Sequence, residues 1–322
     1  MSAFLQSLLL ATVIITVLMT VTAWALWFER KFAARMQSRL GPTMVGRSGL
    51  LQPIADLLKL LQKEDILTTH ADGLLFNLAP LLAAAAAIGT AAAIPFSPTI
   101  VGANLDLGVL FLLAMGAVTV LPVFAAGWAS NNKFALLGGM RAIAQSISYE
   151  VPLLLAALVP VILSGSMNVN EIITFQSNHG WFLYWPFFLG IPAFVLFLLA
   201  MLAESNRIPF DIPEAESELV AGVTTEYTGM KFALFYMAEY VHTLVASAAA
   251  SALFLGGWDG PFAPGLHWMV AKTLTLFVAI YWMRWTLLRF RSDQLMRIAW
   301  YVLVPTGVVL VAGAAVWVVA MS

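Results

Sequence analysis

Six carboxylates fall between residues 204 and 226: Glu204, Asp211, Glu214, Glu216, Glu218 and Glu226, with Arg207 as their only cation. Crowded carboxylates raise one another's proton affinity and titrate as a set. Such a group suits proton holding, the docking of a basic partner, or simply a solvated acidic face. Part of it has a local explanation, because Asp211 can cap a short helix that begins at Pro213, Glu214 follows three residues after that cap, and Gly222 can end the helix. Capping leaves Glu216, Glu218 and Glu226 unexplained. Two more acids, Glu150 and Glu239, stand inside long apolar runs. A carboxylate at membrane depth costs about 2.5–3.5 kcal/mol on insertion scales, so it normally faces a bundle interior and marks an ion or proton path.

The neighbours of these two acids support an interior setting. Tyr236, Glu239, Tyr240 and Thr243 follow i, i+3, i+4, i+7 spacing and form one polar stripe, with His242 beside it. Around Glu150, the residues Arg141, Gln145 and Ser148 share one helix face while Ser146 and Glu150 share another. A helix polar on two faces belongs inside a bundle rather than against lipid. The expectation is a hydrated carboxylate chain from the acidic segment through Glu204, Glu150 and Glu239.

Composition says what must position these groups. Of 322 residues, 61% are hydrophobic and 10% charged, which excludes a soluble enzyme. Eight runs approach the roughly 20 apolar residues that a membrane-crossing helix needs: residues 4–28, 74–94, 107–128, 140–163, 182–203, 231–255, 267–288 and 298–321. The first has no cation before Arg30 and is too long for a cleaved signal core, so it reads as a retained helix. Taken over alternate connections, every Lys and Arg except Lys272 falls on one side, which makes that side cytoplasmic and both termini non-cytoplasmic. Trp24, Trp27 and Trp128 then lie near the inner surface, and Trp181, Trp185 and Trp268 near the outer one. No repeat or flexible linker divides the chain, so residues 1–322 read as one membrane domain, an all-α polytopic fold with an amphipathic segment at 50–63 and an acidic loop at 204–230, both cytoplasmic.

In the first inner connection, Leu50, Leu51, Ile54, Leu57, Leu58 and Leu61 recur at helical spacing opposite Gln52, Asp56, Lys59 and Lys63. The segment is too short to span. It is either a surface anchor or the floor of an entrance for an amphipathic ligand, with Asp56 facing inward. Before it, residues 29–42 read as a basic turn at the membrane edge, suited to anionic headgroups or a partner subunit. A net charge of −1 excludes nucleic acid as a partner. The absence of Cys removes disulfides, thiolate zinc sites and Cys-ligated iron–sulfur clusters, and only His242 among four His lies well inside a span, so no bis-His haem is available. No metal site is expected, and any redox centre must sit on a partner or a diffusible ligand.

Three strings carry a family resemblance: ESNRIPFDIPEAESELVAG at 204–222 followed by EYTGMKF at 226–232, RLGP at 39–42 leading to QPIAD at 52–56, and SNNKF at 130–134 leading to SYE at 148–150. Together they closely resemble the H subunits of NADH-quinone oxidoreductase, respiratory complex I, over essentially the whole chain. The related subunit of membrane-bound hydrogenases typically departs from the PFDIPEAE pattern. The resemblance implies a bacterial plasma-membrane subunit that joins the hydrophilic arm to the membrane arm and forms much of a quinone-access chamber. It has no catalytic redox centre of its own. The implied quinone-chamber residues are Arg30, Arg35, Asp56, Phe210 and Asp211. The implied proton path takes in Glu150, Glu204, Glu214, Glu216, Glu218, Glu226 and Glu239. Quinone would be the substrate, while the iron–sulfur clusters, FMN and NADH would be held by partner subunits. The partners implied are the subunit with the terminal cluster, small A, J and K type membrane subunits and antiporter-like subunits. Two readings from other classes remain: a proton-coupled secondary transporter, disfavoured by the lack of an inverted repeat, and a structural anchor, which gives Glu150 and Glu239 no reason to bear their insertion cost.

Overall fold

The computed structural model describes the backbone of residues 3–213 and 216–321, with side chains described at all of these except 3, 4, 6–8, 10, 187, 216 and 217. Among the described residues every regular element is helical, and extended pairing is confined to the isolated bridge Pro95–Val101. Seven helices are long and apolar enough to cross a membrane: Ala11–Met36, Gly73–Ala93, Gly108–Ala129, Lys133–Ser164, Gly229–Phe254, Leu266–Thr286 and Ser292–Met321. This is the arrangement of a polytopic membrane protein.

The helices are α1 (Ala3–Met36), α2 (Gln52–Gln62), α3 (Gly73–Thr90), α4 (Gly108–Val118), α5 (Val120–Ala129), α6 (Lys133–Ser164), α7 (Val169–His179), α8 (Phe187–Glu204), α9 (Glu216–Leu219), α10 (Gly229–Phe254), α11 (Leu266–Thr286), α12 (Ser292–Arg297) and α13 (Val304–Met321). The span expected at 182–203 corresponds to α8, whose apolar part Phe188–Glu204 is shorter than the others. Its start is delayed because residues 181–185 form a turn, with the Tyr184 and Trp185 amides donating to the Trp181 carbonyl, and Pro186 precedes the first helical residue. A rise of about 1.5 Å per residue still gives the 18 residues of α8 a length near 27 Å. The span expected at 107–128 is two helices that meet at Thr119. Pro122, in the first turn of α5, has no amide to donate to the Val118 carbonyl.

Several local expectations are corrected. Residues 29–36 continue α1 instead of turning, because Leu18, Thr22, Ala25, Glu29 and Ala33 form one buried helical stripe. The connection expected at 164–180 contains α7, which Asn168 caps through the Asn170 amide and which buries Ile172, Ile173 and Gln176. The acidic loop holds a short helix described at Glu216–Leu219, and the amides that an Asp211 cap would bind lie outside the described residues. Asp211 pairs with Arg289 at 3.0 Å.

Two features set the frame for the site. Helices α3 and α10 pack against each other, and small side chains on both, Ala79, Ala83 and Ala87 on one and Ala248 and Ala252 on the other, are buried in the core. Close backbone approach through small residues is how helices associate where lipid offers no hydrophobic driving force. Helix α6 starts behind an Asn132 cap on the Phe134 amide and ends at the left-handed Gly165. The described parts of the segment 205–228 lie along the first half of α6. Asn132 donates to Glu226 at 2.6 Å, Arg141 to Glu218 at 2.7 Å, and Gln145 to the carbonyls of Ala203 and Phe210 at 2.6 and 2.7 Å. The acidic loop therefore enters the bundle, and the end of the bundle from which it enters is termed the loop end.

Candidate functional site

Gln145 explains how the loop is held. Its side chain is 1% exposed, and its amide also reaches Asn206 Oδ1 at 3.2 Å, so one donor group closes the turn that carries Arg207. Arg207 is thereby delivered to the interior, 1% exposed, with Nε 3.0 Å from Glu239 Oε1. Its guanidinium carbon lies 4.3 Å from the Tyr240 ring centroid and 5.5 Å from that of Tyr281. Burial opposes the charge on Arg207, but Glu239 and the surrounding groups outweigh it and keep the guanidinium firmly protonated.

A second pair adjoins the first. Arg284 of α11 donates to Glu29 at 2.6 Å, and the Tyr240 hydroxyl donates to the same carboxylate. Glu29 is 5% exposed. The four charges Glu29, Arg207, Glu239 and Arg284 cancel, and they join α1, the loop, α10 and α11 at one level. Charge cancellation with close contact is what makes buried ions tolerable.

Glu204 is handled differently. It ends α8, is buried, and among the described residues no Lys or Arg lies within ion-pair distance of it. His242 Nε2 lies 3.8 Å from its Oε1. Glu150, half-buried on α6, is close enough to act on it electrostatically.

The remaining expected residues fall into separate places. Arg30 is exposed and donates to Asp56 at 2.7 Å, while Gln52 donates to the other Asp56 oxygen at 2.8 Å, so this pair fixes α2 against the end of α1. Arg35 is exposed on the last turn of α1. The apolar stripe of α2 is uncovered, Leu57 being 48% exposed and Leu61 57%. Phe210 is buried, packed against Tyr149 and Phe290 with ring centroids 5.4 and 5.7 Å apart. Glu218 is on the surface, where Arg141 donates a hydrogen bond to its carboxyl and holds it below the usual carboxylate range. Glu226 lines a cleft of about 430 Å³ with His70, Ser130, Asn132 and Lys133. Along α6 that is twelve residues, about 18 Å, from the position of Gln145. Glu214 lies outside the described residues, as does the side chain of Glu216.

The sequence reading missed Glu29, Arg284 and the Gln145 latch. For Glu29 a signal existed: it continues the stripe of Leu18, Thr22 and Ala25 by helical steps. For Arg284 none did, because its partner is 255 residues away. Among the described residues no group of three His, Asp or Glu side chains could hold a metal ion.

The family described as NADH dehydrogenase matches residues 9–315. The H subunit of NADH-quinone oxidoreductase from Dehalococcoides mccartyi strain CBDB1 is 48% identical over 299 residues, covering 92% of this chain and 81% of that protein. An H subunit of the same enzyme from Geobacter metallireducens is 47% identical over 302 residues, with 91% and 90% covered, and the H subunit from Thermomicrobium roseum is 46% identical over 318 residues, with 93% and 92% covered. The chain, with its buried loop-end charges and its helices long enough to cross a membrane, belongs to the NADH dehydrogenase family of NADH-quinone oxidoreductase H subunits.

Proposed function

We propose that this chain forms the quinone-access chamber of proton-translocating NADH-quinone oxidoreductase and couples quinone reduction to proton movement through its buried carboxylates. The observation that carries the reading is the re-entry of the acidic loop. Residues 203–211 fold into the loop half of the bundle and bring Arg207 and Asp211 beside the level of Glu204, Glu239 and Glu29. A loop of that kind puts ionisable groups between a surface that a soluble arm can reach and the membrane interior. Arg30, Arg35 and Asp56, at the junction of α1 and α2, would flank the passage by which quinone enters. Phe210 and Asp211 would stand at its inner end.

Eight crossings complete the topology, with the loop end cytoplasmic, both termini on the opposite face and the whole in a bacterial plasma membrane as one domain. Helix α8 supports the eighth crossing. The turn before it is tied to the far end of α10 by the Leu183 amide and the Phe254 carbonyl at 3.0 Å, while its own end meets the acidic loop. The chain has no Cys, so iron–sulfur clusters belong to the hydrophilic partner subunits, as do FMN and NADH. The other partners are the remaining membrane-arm subunits and lipid.

Quinone reduction takes up two electrons and two protons, and anionic charge develops transiently near the loop. Two unit charges about 10 Å apart interact by about 1.7 kcal/mol at an effective dielectric near 20, and by only about 0.6 kcal/mol at about 30 Å. One long-range push is too weak to move a proton, so coupling passes through closely spaced groups: the loop carboxylates, then Glu204 and Glu150, with Glu239 held at Arg207. The test is Glu204→Gln in the assembled complex, reconstituted in liposomes with quinone. Proton uptake per quinone reduced is expected to fall steeply. Wild-type turnover with wild-type uptake would overturn the coupling role, and solute transport by the isolated chain in liposomes would favour a transporter.

A further inference from the structure

We propose that His242 is a second proton-carrying group, sharing one proton with Glu204 across a water-sized cavity between α3, α4, α8 and α10. The inference deepens the coupling path proposed above and rests on that reading.

Both side chains are buried, His242 at 8% and Glu204 at 9% exposure, and they face each other at 3.8 Å. That distance exceeds a direct hydrogen bond, so exchange requires one intervening water or a small rotation of the imidazole. Space for either exists. A cavity of about 40 Å³ borders both groups and is otherwise walled by Thr90, Leu112, Met201 and Val245 among others. A water needs about 10–15 Å³ of such space, so the cavity takes one to three. Most of its wall is apolar, which leaves Glu204, His242 and the Thr90 hydroxyl as the polar groups able to hold a water.

The backbone also makes room for this pair. A Cβ on Gly116 would lie 2.6 Å from Glu204 Oε1 and 3.9 Å from His242 Nε2. Gly116 sits at the α4–α5 break, where both the amide and the hydroxyl of Thr119 donate to its carbonyl, at 3.0 and 2.6 Å. The break thus places a residue without a side chain against the carboxylate. The other ionisable groups near the pair are Glu150 of α6, acting on Glu204, and Glu239, three residues before His242 on α10 and held by Arg207.

The step moves one proton and no electrons. The Glu204 O–H bond breaks as an N–H bond forms at His242 Nε2, giving carboxylate and imidazolium. Return of that proton, or its donation to cavity water, restores the neutral ring.

The test uses the assembled complex in proteoliposomes, with variants compared at equal amounts of complex. His242→Ala enlarges the existing cavity by an imidazole-sized volume. Quinone-linked proton uptake is expected to drop ~100-fold or more, the low end for a lost general acid–base group. Added imidazole should restore much of it, and thiazole, which has a similar shape and is a far weaker base, should not. Equal rescue by both compounds would reduce His242 to a packing role and overturn the proposal. His242→Gln keeps the volume and polarity should the Ala variant fail to assemble, and unchanged uptake in His242→Gln also overturns it. Glu204→Gln, measured in parallel, separates the two ideas. Loss there with wild-type uptake in His242→Gln sinks the role of His242 alone, whereas wild-type uptake in both sinks the carboxylate path.

Discussion

Glu239 and Glu204 both lie in the loop half of the bundle, the first half-buried and the second buried, yet their surroundings differ. Glu239 is met by Arg207 at 3.0 Å, and the adjoining Glu29–Arg284 pair makes the cluster neutral. Glu204 has a neutralisable imidazole at 3.8 Å, a glycine at its back and a small cavity beside it. A carboxylate held against a guanidinium holds elements together. A carboxyl facing an imidazole has a partner that can take its proton and give it back. The difference separates fastening from carrying within a set of acids that look alike as sequence.

The largest expected effect comes from removing the fastener. Arg207→Leu leaves the half-buried Glu239 without its cation, and breaking a buried pair costs up to about 3–5 kcal/mol. The measurement is the midpoint of thermal unfolding and the yield of assembled complex in detergent. Arg207→Leu with Glu239→Gln should recover most of that loss, because the charge left behind is gone. A double variant no better than Arg207→Leu would show that the pair is not what holds this level together.

Next is Gln145→Leu. Its amide closes the loop at both ends of the Arg207 turn, and without it the Ala203 and Phe210 carbonyls keep only backbone donors, the Asn206 and Ile212 amides. A lost hydrogen bond of this kind costs about 0.5–1.5 kcal/mol. Because the same turn positions Arg207 and follows Glu204 directly, stability and quinone-linked proton uptake should fall together. Loss of stability with full uptake would break the link between the latch and the carrier.

How much of this could be read beforehand depends on the range of the interaction. The apolar runs, the polar stripes around Glu150 and Glu239 and the amphipathic stretch of α2 are periodic features, set by neighbours within a few turns, and they survive in the structure. The acidic loop was legible as a cluster and illegible as a fold. Asp211 is drawn to Arg289, 78 residues away, a partner that no local pattern announces. The pairing of Arg207 with Glu239 and of Glu29 with Arg284 is likewise set by which helices adjoin, and no spacing in one chain segment encodes that. Glu150, Glu204 and Glu239 therefore read as a series from sequence, and only the placement of the two arginines and of His242 assigns them different partners.

Gly116→Ala sharpens the comparison from the side of the carrier. The clash is with the far end of a flexible side chain, so Glu204 can swing aside, and the stability cost should be near the low end of the about 1–3 kcal/mol typical of overpacking. The carboxyl can swing only by leaving His242. Proton uptake should then fall well beyond what the small stability change explains, with uptake and thermal midpoint measured on the same preparation.

The smallest effect is expected at Glu218, which is paired like Glu239 and solvated unlike it. Arg141 donates to it at 2.7 Å, with the two side chains 35% and 58% exposed. The depressed carboxyl means that whatever the pair contributes is fully present above the unfolded value, about 4.3 for Glu, and is lost as pH falls through the lower folded one. Near neutral pH the contribution is flat. Glu218→Gln should lower stability by at most about 1 kcal/mol at pH 7, less in high salt, since exposed pairs are screened. A loss as large as that of Arg207→Leu would mean that Glu218 is buried against a partner in the assembled complex. A small loss accompanied by reduced proton uptake would place it on the path instead, because a solvated ion pair that contributes little to folding has no other reason to affect the protons.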